Sequence, residues 1–119
     1  MTIQECYNQM GGDFEGVRKR FGSEMLVEKF ALKFLNDSSF QDLEDGLQEK
    51  DAEKAFRAAH TLKGICLNLG FDALYEASAA LTEKLRDLTL TNYEAELKKV
   101  EDRYHQSVEA IRIFDAQRA

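Results

Sequence analysis

Proline and tryptophan are absent from this chain of 119 residues, and cysteine occurs only twice. Without proline, no pyrrolidine ring interrupts a helix anywhere in the sequence. Cys6 and Cys66 are far apart in the chain, and neither belongs to a Cys-x-x-Cys motif. This arrangement argues against a zinc site and against a disulfide framework, and it favours reduced thiols in a cytoplasmic protein.

The chain also lacks a long apolar run and an excess of basic residues. No stretch approaches the length of a membrane span, and the N-terminus does not have the basic start and apolar segment of a secretory signal. The formal net charge is −6. Nucleic acids and anionic membrane surfaces both attract positive faces, so we expect this protein to bind neither.

Helical periodicity is abundant in the sequence. Gly22-Ser23 opens a helix with Ser23 as its N-cap, and residues 36–39 interrupt it before a shorter helix that contains Phe40, Leu43 and Leu47. Asp51 is placed to cap the next helix, which we expect to reach Leu69 and end at Gly70.

Two more helices are predicted after Gly70. The first carries Leu74, Leu81, Leu85 and Leu88. The segment 91–94 has the pattern of a capping box for the second. The apolar face of that last helix is expected to comprise Tyr93, Leu97, Val100, Tyr104, Val108, Ile111 and Phe114.

Four long amphipathic helices with short connections predict an all-α fold, an antiparallel four-helix bundle. We expect the first 20 residues to add one short helix packed at one end of the bundle. No repeat or linker divides the sequence, so residues 1–119 are predicted to form a single domain.

The helix predicted over residues 51–69 has an unusual solvent face. Its core positions are expected to be Ala55, Ala59, Leu62, Cys66 and Leu69. With about 100° between successive residues, His60 falls about 140° from Ala55 and Gly64 about 180° from it, on the side away from the core. Lys63 follows His60 by three residues, and the apolar Phe56 and Leu67 flank the same spot.

Charge is distributed unevenly around this helix. Residues 37–53 contain seven acidic residues and one lysine, whereas residues 54–69 contain Lys54, Arg57 and Lys63 and no acidic residue. An exposed histidine beside a glycine, a lysine and an apolar rim is compatible with a functional site. On the residues alone, it is equally compatible with an ordinary helix surface.

The segment from Ala59 to Gly64, Ala-His-Thr-Leu-Lys-Gly, followed by Leu69-Gly70, resembles the signature of histidine-containing phosphotransfer (Hpt) domains. The resemblance extends from about residue 20 to the last helix. It implies that His60 accepts a phosphoryl group, that Lys63 stabilises the added negative charge, and that Gly64 leaves room for a partner. The partner would dock on residues around His60, and we expect Phe56, Arg57, Thr61 and Leu67 to contact it.

The resemblance also implies the partners. They would be receiver domains of response regulators, which exchange the phosphoryl group through an aspartate, and a hybrid histidine kinase. Mg²⁺ would be held by the receiver, so this chain is expected to need no cofactor or metal of its own. We expect a monomeric phosphocarrier without independent catalytic activity. The chain starts at Met1, ends just past the last helix and contains no ATP-binding domain, so a free-standing carrier is expected.

Two positions depart from the family pattern. Ile65 stands where a small residue is usual, and Thr82 stands where a glutamine or glutamate often orients the histidine ring. We expect Ile65 to pack against a neighbouring helix. Thr82 remains a candidate for orienting the ring through its hydroxyl, although its reach is shorter.

Other functions fit the sequence less well than a phosphocarrier. A helical bundle that docks a receiver or a kinase without carrying phosphate would not require His60, Lys63 and Gly64 together. A metal- or haem-binding bundle would need inward-facing ligands such as paired Glu-x-x-His motifs, and none occurs. A hydrolase would need a nucleophile elbow or a phosphate loop, and the sequence has neither.

Overall fold

The computed structural model describes residues 1–118, and their regular structure is entirely helical. The helices are α1 (Ile3–Gln9), α2 (Phe14–Phe21), α3 (Glu24–Lys33), α4 (Ser39–Gln48), α5 (Ala52–Leu69), α6 (Asp72–Leu85) and α7 (Glu94–Gln117). A 3₁₀ turn, Phe34–Asn36, joins α3 to α4. This confirms the all-α prediction. The predicted domain included Ala119, which lies outside the described residues.

Local capping signals explain several helix boundaries. The Ser23 side chain accepts a hydrogen bond from the backbone N–H of Leu26, at 3.2 Å, and Asp51 accepts one from the N–H of Lys54, at 3.1 Å. Gly70 ends α5 with a φ of 72°, a left-handed conformation in which glycine carries no steric penalty. The predicted start of α3 and both ends of α5 are therefore confirmed.

Helices α4 to α7 pack on one another as a helical bundle. Helices α4 and α5 approach so closely at Gly46 that a Cβ atom there would lie 2.7 Å from the backbone nitrogen of Ala55. The start of α5 meets the end of α6, because the Arg86 guanidinium lies over the Phe56 ring, so these two helices run antiparallel. The Phe40 ring stacks on Tyr104 at 3.9 Å between centroids, which brings α4 against α7.

The core of the bundle includes every position predicted for α5. These residues, Ala55, Ala59, Leu62, Cys66 and Leu69, are all buried. None of the described helices combines the length and the apolar character needed to cross a membrane.

The N-terminal segment differs from the prediction of one short helix, because the first 21 residues contain two, α1 and α2. Gly11 interrupts them with a φ of 67°. They pack at the end of the bundle where α5 leads into α6: the Tyr7 hydroxyl donates to the Leu69 carbonyl at 2.7 Å, and the Asp13 N–H donates to the Gly70 carbonyl at 2.8 Å. The predicted location at one end is confirmed.

The connection from α6 to α7 also differs from the prediction. Leu88 lies beyond α6, is 49% exposed and has a φ of 60°. Tyr93, not Thr91, occupies the N-cap position of α7, and no side chain caps that helix. The Thr89 hydroxyl lies 3.3 Å from that of Thr91 and donates to Asp87 at 2.9 Å, so the loop satisfies these polar groups internally.

Candidate functional site

His60 lies in the third turn of α5 with its side chain exposed, whereas its neighbours Ala59 and Leu62 are buried. The rotation of the helix therefore places the histidine on the solvent side, as the sequence predicted. Among residues 1–118, no hydrogen bond engages its ring, and the residue is exposed to solvent.

An aromatic neighbour supports the histidine ring. The half-buried Phe56, one turn earlier in α5, is nearly parallel to His60, with 6.1 Å between ring centroids and 14° between ring planes. The two rings are therefore neighbours on the same surface of α5. Phe56 was predicted to flank His60, and it does.

Gly64, one turn after His60, leaves open space at the surface. A Cβ atom built on Gly64 would meet nothing within 4 Å, in contrast to the crowding at Gly46. A glycine inside a helix costs about 1 kcal/mol relative to alanine. No close packing requires a glycine at this position, and the helix backbone beside His60 is open.

A lysine accompanies the histidine on α5. Lys63, three residues along α5, is half-buried, and its charge helps to lower the pKa of the Glu83 carboxyl, after the larger effect of the hydrogen bond from Arg86. Lys63 is therefore close to α6 as well as to His60.

Arg86 is a site residue that the sequence analysis missed. Its guanidinium lies 5.4 Å from the centroid of the Phe56 ring, whose other neighbour is His60, and it donates to Glu83 at 2.8 and 3.1 Å. The Phe56 ring thus has both the Arg86 guanidinium and the imidazole of His60 as neighbours. No local pattern marks it, because it belongs to the end of α6 and reaches the site only through the packing of α6 on α5.

The other predicted docking residues lie on two sides of α5. Leu67 is 58% exposed, one of few large apolar side chains in that state, and it lies two turns after His60 on nearly the same side. Arg57 pairs with Glu53 within α5. Arg57 and Thr61 line a polar groove between α4 and α5 together with Asp42, so they are further around the helix than Phe56 and Leu67.

Thr82 does not fulfil the expectation for it. It is fully buried, and its hydroxyl donates to the Ser78 carbonyl one turn earlier in α6, at 2.7 Å. A hydroxyl engaged beneath the surface does not orient the exposed ring of His60, so this prediction was wrong. Ile65 is half-buried in a cleft with Phe30 and Phe34, which confirms that it packs against a neighbouring helix.

The described residues contain no group of three or more His, Cys, Asp or Glu side chains arranged to hold a metal ion.

Comparison with known proteins gives one match. The family model of the Hpt domain matches residues 35–112, which span α4 to α6, most of α7 and the whole segment around His60. Searches of curated proteins and of solved structures return no match. Because the family model covers more than half of the chain, this protein belongs to the Hpt domain family, the phosphotransfer modules of phosphorelay signalling.

Proposed function

We propose that this protein is a histidine phosphocarrier that accepts a phosphoryl group on His60 from an aspartyl phosphate of one receiver domain and passes it to the aspartate of another. The observation that carries the proposal is the exposure of the His60 ring, free of hydrogen bonds among residues 1–118, beside the open backbone at Gly64. Imidazole is partly uncharged near neutral pH and is then a competent nucleophile.

Transfer of the phosphoryl group needs no reactant besides His60 and the aspartyl phosphate. The lone pair of the unprotonated ring nitrogen of His60 attacks phosphorus, the N–P bond forms, and the bond from phosphorus to the aspartate oxygen breaks. The carboxylate leaves with the electron pair, and the other ring nitrogen keeps its proton. The second transfer is the reverse reaction with a different receiver.

Charge compensation is the main contribution of the surrounding residues. A phosphoryl group on His60 adds negative charge beside Lys63, and the Arg86 guanidinium lies 5.4 Å from the centroid of the neighbouring Phe56 ring. Phosphoryl transfer depends chiefly on alignment and on neutralisation of charge. We assign Lys63 to stabilising the phosphoryl group, Gly64 to clearance for the partner, and Arg86 to a second positive charge at the edge of the site.

The rest of the reaction machinery is assigned to the partner. Its carboxylates would hold Mg²⁺, so the carrier has no cofactor of its own and no catalytic activity without a receiver. The partners are receiver domains and a hybrid histidine kinase, and the carrier acts in the cytoplasm as a monomer. A monomer leaves the face around His60 free to meet two partners in turn.

The decisive experiment measures phosphoryl transfer from a phosphorylated receiver domain in Mg²⁺ to three forms of the protein. These are the wild type, His60→Gln and His105→Gln, the last a matched control because His105 is the other histidine and is also exposed. Intact mass is followed, and the label is then tested in acid and in base. We expect acid-labile, base-stable label on the wild type and His105→Gln and none on His60→Gln, with unchanged helicity in all three.

Two results would contradict the proposal. Label on His60→Gln would place the phosphoacceptor elsewhere. No label on a well-folded wild type, with several phosphorylated receivers, would favour the alternative of a docking module that binds a receiver or a kinase without carrying phosphate.

A further inference from the structure

Arg20, at the end of α2, reaches the phosphoacceptor helix from outside the segment that the family model matches. One of its terminal nitrogens, Nη2, donates to the carbonyls of Leu67 and Asn68 in the last turn of α5, at 3.2 and 2.8 Å. The family match begins only at residue 35. The donor in this contact therefore comes from the N-terminal helices, outside the matched residues, whereas the acceptors lie within them.

The position of Arg20 suits a cation, but not all of its N–H donors are engaged there. Arg20 also lies near Asp72: burial raises the pKa of that carboxyl, and the charge of Arg20 opposes the rise. The C-terminus of a helix carries a partial negative charge, which the guanidinium compensates. Within residues 1–118, Nε and Nη1 of Arg20 form no hydrogen bond, and the side chain is exposed. The three N–H donors of Nε and Nη1 remain available for single hydrogen bonds to a carboxylate oxygen.

Arg20 also lies at the end of the surface strip that contains His60. Leu67 follows His60 by seven residues, which is about 10 Å along the helix axis and about 20° around it. The strip formed by His60, Gly64 and Leu67 therefore has Arg20 at its C-terminal end and Arg86 near its other end. Residues 54–69 include no acidic side chain, although the chain as a whole has a net charge of −6.

We propose that Arg20 is a specificity-determining docking residue that binds a carboxylate on the surface of the receiver domain that exchanges phosphate with His60. This inference rests on the proposed function. The occupant is a receiver because the strip that ends at Arg20 is continuous with His60, where the phosphorylated aspartate of the receiver must dock. Leu67, whose carbonyl accepts the hydrogen bond from Arg20, lies about 10 Å from His60 along the helix axis, and a standard interface of about 800 Å² per partner covers such a span.

Docking at Arg20 would affect binding and not the chemical step, since Arg20 lies too far from His60 to touch the phosphoryl group. A charge at the edge of an interface acts mainly on association and on its salt dependence. Arg20→Ala is therefore expected to raise the KM for the phosphorylated receiver by roughly fivefold to tenfold, with kcat nearly unchanged. The dependence of KM on salt concentration should become weaker.

Two control variants separate docking from a structural role. Tyr7→Phe removes the hydrogen bond to the Leu69 carbonyl in the same turn of α5 but leaves the surface charge intact, because Tyr7 is fully buried. Lys19→Ala removes one exposed positive charge from α2 beside Arg20. We expect Tyr7→Phe to lower thermal stability with an unchanged KM, and Lys19→Ala to leave KM within twofold of the wild type.

The outcomes distinguish this inference from the proposed function. If the wild type accepts phosphate but Arg20→Ala has the same KM, or if Tyr7→Phe or Lys19→Ala raises KM as much, Arg20 is not a docking determinant, whereas the carrier function stands. If no phosphate is transferred but calorimetry shows that the receiver binds the wild type more tightly than Arg20→Ala, docking stands and the carrier function fails. Absence of receiver binding to the wild type overturns both.

Discussion

Replacing Gly64 should raise the stability of the protein and lower its activity. Alanine is favoured over glycine in a helix interior by about 1 kcal/mol, and at Gly64 the added Cβ would meet nothing within 4 Å. No packing cost opposes the gain, so Gly64→Ala should stabilise the fold by about 1 kcal/mol. In a domain of this size, that gain corresponds to a rise in Tm of about 4 °C.

Gly46 provides the matched control. A Cβ there would lie 2.7 Å from the nitrogen and 3.0 Å from the Cα of Ala55, so α4 and α5 must separate to admit it. Forced separation of this kind costs about 1–3 kcal/mol. Gly46→Ala gains the same helix propensity, so we expect a net loss of up to about 2 kcal/mol. Urea unfolding followed by far-UV circular dichroism measures both variants.

A side chain at position 64 is expected to slow phosphoryl transfer, although it stabilises the fold. The longer side chain of Gly64→Gln would occupy the space one turn from His60 through which a partner approaches. Misplacement of reacting groups by about 1 Å costs on the order of a hundredfold in rate, so we expect transfer to slow at least tenfold while the fold is stabilised. Lower stability in Gly64→Ala would refute the open-surface geometry. Unchanged transfer in Gly64→Gln would mean that the receiver approaches from another side.

Two further predictions concern the loop after α6 and the thiols. Leu88 has a φ of 60°, a conformation that costs an L-residue about 1–2 kcal/mol and glycine much less; Leu88→Gly should raise the unfolding free energy by roughly 0.5–1 kcal/mol, after the loss to chain entropy. Leu88→Ala keeps the Cβ, so an equal gain in that control would contradict the role of strain. Burial raises the pKa of the Cys6 thiol to about 11 and also raises that of Cys66. Because a raised pKa keeps both thiols protonated at mildly alkaline pH, they should react with a disulfide reagent only after unfolding; fast reaction of either thiol in the folded protein would disprove this burial.

Much of the site could be predicted from the sequence because its main elements are local. The cap at Asp51, the stop at Gly70 and the rotation of one helix are sufficient to place His60 and Gly64 on the solvent face of α5. The wrong prediction of a capping box at the start of α7 also comes from a local pattern. The pattern at residues 91–94 has the composition of a capping box, but Thr91 is part of a loop whose hydroxyl groups interact with one another.

The contributions of other helices to the site could not be predicted in this way. Thr82 has no sequence signal that distinguishes a buried hydroxyl from an exposed one, and its position follows from the side of α6 that packs into the bundle.

The sequence by itself determined the helical class, the limits of α5 and the exposure of His60, because capping and periodicity act over a few residues. Only the tertiary structure decided that Arg86 lies over Phe56 and that Arg20 binds the last turn of α5. Those contacts join residues 30 and more positions apart in the chain. Their geometry depends on how whole helices pack, which no local pattern encodes.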